Sequence, residues 1–138
     1  MTAVVEEAAV PPAAIWSLWS DVPGWATWNP DVASASIDGP FGPGSAIAMT
    51  LESGDVIDLL LVDVQPGVAF VDEASIDGIV LRTEHRIESA AAPGSIRVVY
   101  DMTASGSAPP DVLEEVRATV SADFAETLAA LLRAAACR

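Results

Sequence analysis

Pro11-Pro12-Ala13-Ala14-Ile15-Trp16-Ser17-Leu18-Trp19-Ser20-Asp21-Val22-Pro23-Gly24-Trp25-Ala26-Thr27-Trp28-Asn29-Pro30 is the stretch on which the fold turns. Pro11 and Pro12 carry no amide donor, so a strand arriving over Val4 to Val10 must stop there, whereas Pro12 suits the first turn of a helix. Ile15, Trp16, Leu18 and Trp19 recur at three- and four-residue spacings, one face of a short helix over Ala13 to Ser20. Asp21-Val22-Pro23-Gly24 ends it, a second helical turn carries Trp25 and Trp28, and Pro30 closes that turn. All four tryptophans of the chain lie in this window. Aromatic side chains bury large areas and keep one polar atom available, so the cluster marks a core seam or a pocket wall.

Downstream, from Val32 to Thr103, short β-branched and aliphatic runs alternate with Gly, Pro and Asp, the pattern of an antiparallel meander. The runs predict strands near Val32 to Ile37, Ser45 to Leu51, Val56 to Val64, Val68 to Ser75, Ile79 to Glu88 and Ser95 to Thr103. The words Ala35-Ser36-Ile37-Asp38-Gly39 and Ala74-Ser75-Ile76-Asp77-Gly78 repeat five letters. Each reads as a strand end plus a hairpin-type turn, not as a duplicated module. After Ser105-Gly106-Ser107-Ala108-Pro109-Pro110, Asp111 is placed to cap a helix with Glu114 three residues on. Leu113, Val116, Val120, Phe124, Leu128, Leu131 and Ala135 then predict one long helix with a single apolar face.

Composition narrows the classes. A chain of 138 residues is one domain's worth, spanning 1–138. Six arginines, no lysine and twenty acidic residues give a net charge of −14. That balance repels phosphate backbones and anionic lipid surfaces, which argues against nucleic acid and membrane partners. The first residues lack a basic leader and no apolar run reaches bilayer length, so a cytoplasmic location is expected. A homodimer is compatible with this composition. Cys137 is the single cysteine, which excludes an internal disulfide. One histidine without cysteine partners makes no standard zinc site, and Asp55, Asp58 and Asp63 lack calcium-loop spacing. No glycine-rich phosphate loop, dinucleotide fingerprint or nucleophile elbow is present, so neither metal nor cofactor is expected.

The order strand, two short helices, six-stranded meander and long final helix resembles the helix-grip fold of the START-like (SRPBCC, Bet v 1-like) superfamily. The likeness is carried by Pro11 to Trp16, by Asp21 to Pro30, by Gly44, and by Gly94-Ser95-Ile96-Arg97-Val98. It is nearest to small bacterial polyketide cyclase/dehydrase-like members. The resemblance implies an α+β domain in which a sheet of about seven strands, the N-terminal one included, wraps around the C-terminal helix and encloses a cavity. It supplies no catalytic motif that maps residue by residue.

Strand alternation then assigns side chains to that cavity. Ile96, Val98, Tyr100 and Met102 share one face of the last strand. Arg82, Glu84, Arg86 and Glu88 form a solvent face, which turns Ile79, Leu81, Thr83, His85 and Ile87 inward. Ile47, Met49 and Leu51 read as inward, as do Leu59 and Leu61, although Leu60 and Val62 leave that strand's parity ambiguous. Val120 and Phe124 come from the helix stripe. Trp25 and Trp28 lie where the resembled fold opens its cavity, whereas Trp16 and Trp19 read as core residues. Phe41, in Gly39-Pro40-Phe41-Gly42-Pro43-Gly44, is either a gate residue or part of a stiff turn.

The leading expectation is a binder of a hydrophobic or aromatic small molecule, polyketide- or lipid-like, oriented by the polar groups Thr83, His85 and Tyr100. The alternative is a cyclase, aromatase or dehydratase in which His85 and Tyr100 serve as acid/base and oxyanion groups. His85 has the competing reading of a core histidine bonded to a neighbour, and β-propensity alone accounts for Thr83. A protein-interaction module is the third reading, its acidity steering a basic partner.

Overall fold

The computed structural model describes residues 2–137. Seven strands form one antiparallel sheet: β1 (Thr2–Ala8), β2 (Val32–Ile37), β3 (Ala46–Leu51), β4 (Val56–Gln65), β5 (Ala69–Ile76), β6 (Ile79–Ser89) and β7 (Ile96–Gly106). Their order across the sheet is β1-β7-β6-β5-β4-β3-β2, so the meander runs in sequence and the first strand returns to pair with the last. Helix α1 (Pro12–Ser20), a 3-10 turn (Val22–Gly24) and α2 (Trp25–Trp28) sit between β1 and β2, while α3 (Pro110–Ser121) and α4 (Phe124–Ala136) follow β7. This is the α+β helix-grip architecture expected from the sequence.

Pro12 does open α1, and Ile15, Leu18 and Trp19 form its buried face. The first strand ends at Ala8, two residues sooner than its apolar run suggests, because Val10 turns into the core at 7% exposure. Of the two five-letter repeats, only the second makes a tight hairpin. Ile76 pairs with Ile79 across Asp77 and Gly78, whose φ values of 51° and 81° are those of a type I′ turn. Asp38 instead accepts the Ala46 amide on its side-chain carboxyl at 2.7 Å.

Two expectations for the C-terminus are corrected. The helix starts at Pro110 with Pro109 before it and no side-chain cap, and Glu114 pairs with Arg117 instead of with an Asp111 cap. The single long helix is broken at Ala122 and Asp123. Ser121-Ala122-Asp123 includes two residues whose short polar side chains compete with the helical backbone. At the break the Ala122 amide bonds Thr119 in a tightened turn, and the Asp123 carbonyl accepts both the amide and the hydroxyl of Thr127. The break lets α3 pack Leu113 and Val116 against Ile79, Leu81 and Met102, while α4 buries Leu128, Leu131 and Ala135 in the main core.

On the outer face the arginines are matched to acids: Arg82 to Glu73 at 2.8 Å, Arg86 to Glu84 at 2.5 Å and Glu88 at 2.7 Å, and Arg97 to Glu88 at 2.8 Å. Arg86 and Arg97 hold the Glu88 carboxyl below its ordinary range. The alternation read from the sequence is therefore a solvated, charge-paired sheet face.

Candidate functional site

Antiparallel register lays two rows of side chains across the inner face. In one, Phe70 pairs with His85 and His85 with Tyr100. Directly opposed residues on a shared face approach closely, and the Phe70 and His85 rings stack at 4.0 Å while His85 meets Tyr100 edge-on at 4.6 Å. In the adjacent row Leu61 pairs with Asp72, Asp72 with Thr83, and Thr83 with Met102. Trp19 descends from α1 onto the aromatic row, edge-to-face with Phe70 at 5.2 Å, and donates its indole N–H to the Tyr100 hydroxyl oxygen at 3.1 Å. Trp25 in turn donates to the Trp19 carbonyl at 3.0 Å, which fixes α2 to the end of α1.

Apart from Leu61, these rows form the floor of a cavity of about 230 Å³. Trp28, from α2, and Phe124, from the helical break, contribute to its walls. Ile76 and Val120, 40% and 37% exposed, mark where it meets solvent. Of the residues the sequence assigned to a ligand, Trp25, Trp28, Met49 and Leu59 line it. Thr83, His85, Tyr100, Val120 and Phe124 do as well. Five others fall outside the lining, at core positions. Ile47, Leu61 and Val98 are at most 1% exposed, packed where the sheet and helices close on each other, and Ile87 joins the same core from its edge. Phe41 packs edge-on against Trp16 at 5.8 Å and Phe70 at 5.1 Å. Its loop is stitched down by the Ser45 hydroxyl to the Pro40 carbonyl at 2.6 Å and by the Gly44 amide to the Leu61 carbonyl.

The lining includes groups that the sequence reading did not single out. Trp19, assigned to the core, is both core and lining. Asp72 is the larger omission. It is 6% exposed, lines the cavity, and forms no hydrogen bond or ion pair among the described residues. Burial, reinforced by the neighbouring Glu73 charge, raises its pKa to about 7. Phe70, Asp72, Ala74 and Ile76 alternate along β5, so period two contained the signal. Val71, Glu73 and Ser75 on the opposite face mirror that pattern closely enough to hide it. Asp31 and Asp123 also line the cavity, and no arginine does.

His85 and Tyr100 are held in uncharged forms. Burial against its aromatic neighbours drives the His85 pKa down to about 3, outweighing its backbone hydrogen bonds. Its Nδ1–H faces the Phe70 carbonyl at 3.4 Å, a tautomer that leaves Nε2 as an acceptor. Burial likewise pushes the Tyr100 hydroxyl well above its ordinary value. Because Tyr100 accepts from Trp19, its own proton is available to a further acceptor. No cluster suited to a metal ion occurs among the described residues.

A seven-stranded sheet gripping a C-terminal helical segment over an apolar cavity defines a START-like, Bet v 1-type domain. The chain belongs to the polyketide cyclase / dehydrase and lipid transport family, whose model matches residues 1–136. No curated protein matches it. Among solved structures it resembles the protein XoxI from Bacillus cereus at 16% identity and a TM-score of 0.75, with 97% of this chain and 94% of that one covered. A START superfamily protein from Mycobacterium smegmatis matches at 18% identity and a TM-score of 0.67, covering 97% and 95%. The di-domain ARO/CYC BexL of the BE-7585A biosynthetic pathway matches at 17% and 0.70, covering 99% of this chain and 50% of that one. At these identities the likeness is one of fold. No helix among the described residues is long and apolar enough to cross a membrane.

Proposed function

We propose that this domain binds a small, mostly apolar, aromatic-type molecule in the cavity between its sheet and its C-terminal helices. The carrying observation is the cavity itself, floored by aromatic side chains and open beside Ile76 and Val120. Its size sharpens the ligand class. Drug-sized ligands occupy roughly 300 to 1,000 Å³, and about 150 Å³ suffices for benzene. A volume of about 230 Å³ suits one or two rings and not a multi-ring ketide or a full lipid chain. The face-rich wall favours an aromatic ligand, because edge-to-face and offset contacts add to simple burial.

The uncharged His85 and Tyr100 favour orientation over proton transfer. His85 offers a neutral acceptor and Tyr100 a donor, enough to position one hydroxyl or carbonyl. Membership of a family described by polyketide cyclases, dehydrases and lipid transport supports either binding or turnover, but a histidine with its pKa near 3 is poorly matched to general base work at neutral pH. The binding reading is therefore the stronger. Native mass spectrometry of freshly purified protein, together with tryptophan fluorescence during titration with 2-phenylethanol, tests it. A co-purified small molecule or a saturable fluorescence change is the expected result, since Trp19, Trp25 and Trp28 all line the cavity. Neither signal at millimolar probe would remove the proposal.

A further inference from the structure

We infer that the cavity selects hydrophobic amines, with the Asp72 carboxylate as the counter-charge for a ligand ammonium group. The inference rests on the binding reading above and names the chemical class that the cavity prefers.

Three features carry it. Asp72 is 94% buried by its 6% exposure, lines the cavity, and has neither an arginine nor a hydrogen-bond donor on it among the described residues. A carboxylate withdrawn from water without a counter-charge is unfavourable, so the site is completed when something brings a positive charge or a proton. The arginines nearest in the sheet are engaged on the other face, Arg82 with Glu73 and Arg86 with Glu84 and Glu88. Every other charged or titratable group around the cavity points the same way. Asp31 from the loop before β2 and Asp123 from the break between α3 and α4 add negative potential, while His85 on β6 and Tyr100 on β7 stay neutral. A cavity with three aspartates and no arginine in its lining repels anionic ligands and concentrates cations. The chain's net charge of −14 acts in the same direction over longer range.

The geometry also fixes how such a ligand lies. The aromatic row Phe70, His85 and Tyr100 is one register step from the Asp72–Thr83 row. An arylalkylamine with its ring on the first row places its ammonium over the second after a short linker. The Thr83 side chain, 5% exposed and paired opposite Asp72, can accept a second ammonium hydrogen.

Asp72 sets the pH dependence, because its pKa near 7 leaves it mostly protonated at pH 6 and mostly ionised at pH 8. An amine that stays protonated over that range gains affinity as pH rises, by roughly tenfold between pH 6 and 8. A neutral ligand that accepts a hydrogen bond from the protonated carboxyl shows the opposite trend.

The test is calorimetric titration of the full chain with 2-phenylethylamine and with its neutral isostere 2-phenylethanol, at pH 6 and pH 8. The amine is expected to bind at least tenfold more tightly than the alcohol at pH 8, with most of that preference gone at pH 6. Asp72→Asn should abolish the preference, bringing amine affinity down to that of the alcohol at both pH values. Asp31→Asn combined with Asp123→Asn should weaken it only a few-fold and reduce its salt dependence. Alcohol binding equal to amine binding at pH 8 would overturn the inference and leave the cavity reading intact. Amine affinity that does not change with pH would also overturn it, even if Asp72→Asn failed to fold. Failure of both probes to bind would remove the cavity reading and this inference together.

Discussion

Trp19 and Tyr100, 81 residues apart, are joined by a hydrogen bond of 3.1 Å from the indole N–H to the phenolic oxygen. The two residues are 1% and 3% exposed, so a buried, direct bond ties the N-terminal helix to the last strand. Tyr100→Phe removes the acceptor and leaves the indole N–H orphaned in the core. An unsatisfied buried donor costs roughly 1 to 3 kcal/mol. Urea unfolding should show that loss with an unchanged m-value, and Trp19→Phe should cost less in the Tyr100→Phe background than in wild type, since the bond is already gone.

The two perturbed groups on the cavity floor act oppositely on stability. Asp72, raised from 3.8 to about 7, is protonated in the folded and ionised in the unfolded protein between those values, so its contribution to stability falls as pH rises through that window. His85, lowered from 6.5 to about 3, is neutral when folded and charged when unfolded, so its contribution rises with pH over the window up to 6.5. Between pH 5 and 6.5 the two slopes oppose each other. Relative to wild type, Asp72→Asn should gain stability with increasing pH by roughly 1.4 kcal/mol per unit, and His85→Gln should lose it at a similar rate. Denaturant titrations at half-unit pH steps read both. Parallel curves for wild type and Asp72→Asn would show that the carboxyl titrates normally.

His85 is the only histidine, so its ring resonances identify themselves in a proton spectrum. They should not titrate between pH 8 and 5. The cause is the stack on Phe70 at 4.0 Å beneath Trp19, which covers much of the half-buried ring and disfavours the imidazolium. Phe70→Ala opens that side, and the midpoint should climb back toward the ordinary 6.5. The same change removes a side chain that is 2% exposed, at a stability cost of roughly 3 to 5 kcal/mol.

The sequence made some strands readable and others not, for a physical reason. In β6 and β7 one face is apolar and the other charged, so Thr83, His85 and Tyr100 could be turned inward from alternation alone. In β4 both faces are apolar around Leu59 to Val62, and a register shift between Leu61 and Asp63 breaks the period, so Leu61 and Val64 both reach the core. In β5 an acid sits on each face, and only the neighbouring strands decide that Asp72 is buried while Glu73 reaches Arg82. The helix break at Ala122 and Asp123 was hidden by an apolar stripe that continues through it in sequence. The composition of loop 39–44 leaves Phe41 open between gate and stiff turn because it does not reveal that Trp16 and Phe70 hold its ring.

Ala74 allows the cavity to be filled without disturbing its polar groups. It is 7% exposed, lies on the cavity wall two residues from Asp72, and forms no side-chain hydrogen bond of its own. Ala74→Phe projects a benzyl group into the space. Since about 150 Å³ accommodates benzene, one such ring takes up most of a cavity of about 230 Å³. Filling existing space adds apolar contact without the strain of inserting atoms into a closed core, so stability should change by less than about 1.5 kcal/mol. Binding of 2-phenylethanol should fall at least tenfold, while Asp72 retains its raised pKa or gains a further increase from deeper burial. Calorimetry on the variant, beside a thermal melt showing an intact cooperative transition, separates loss of the cavity from loss of the fold. Undiminished binding by a folded Ala74→Phe would place the ligand elsewhere on the protein.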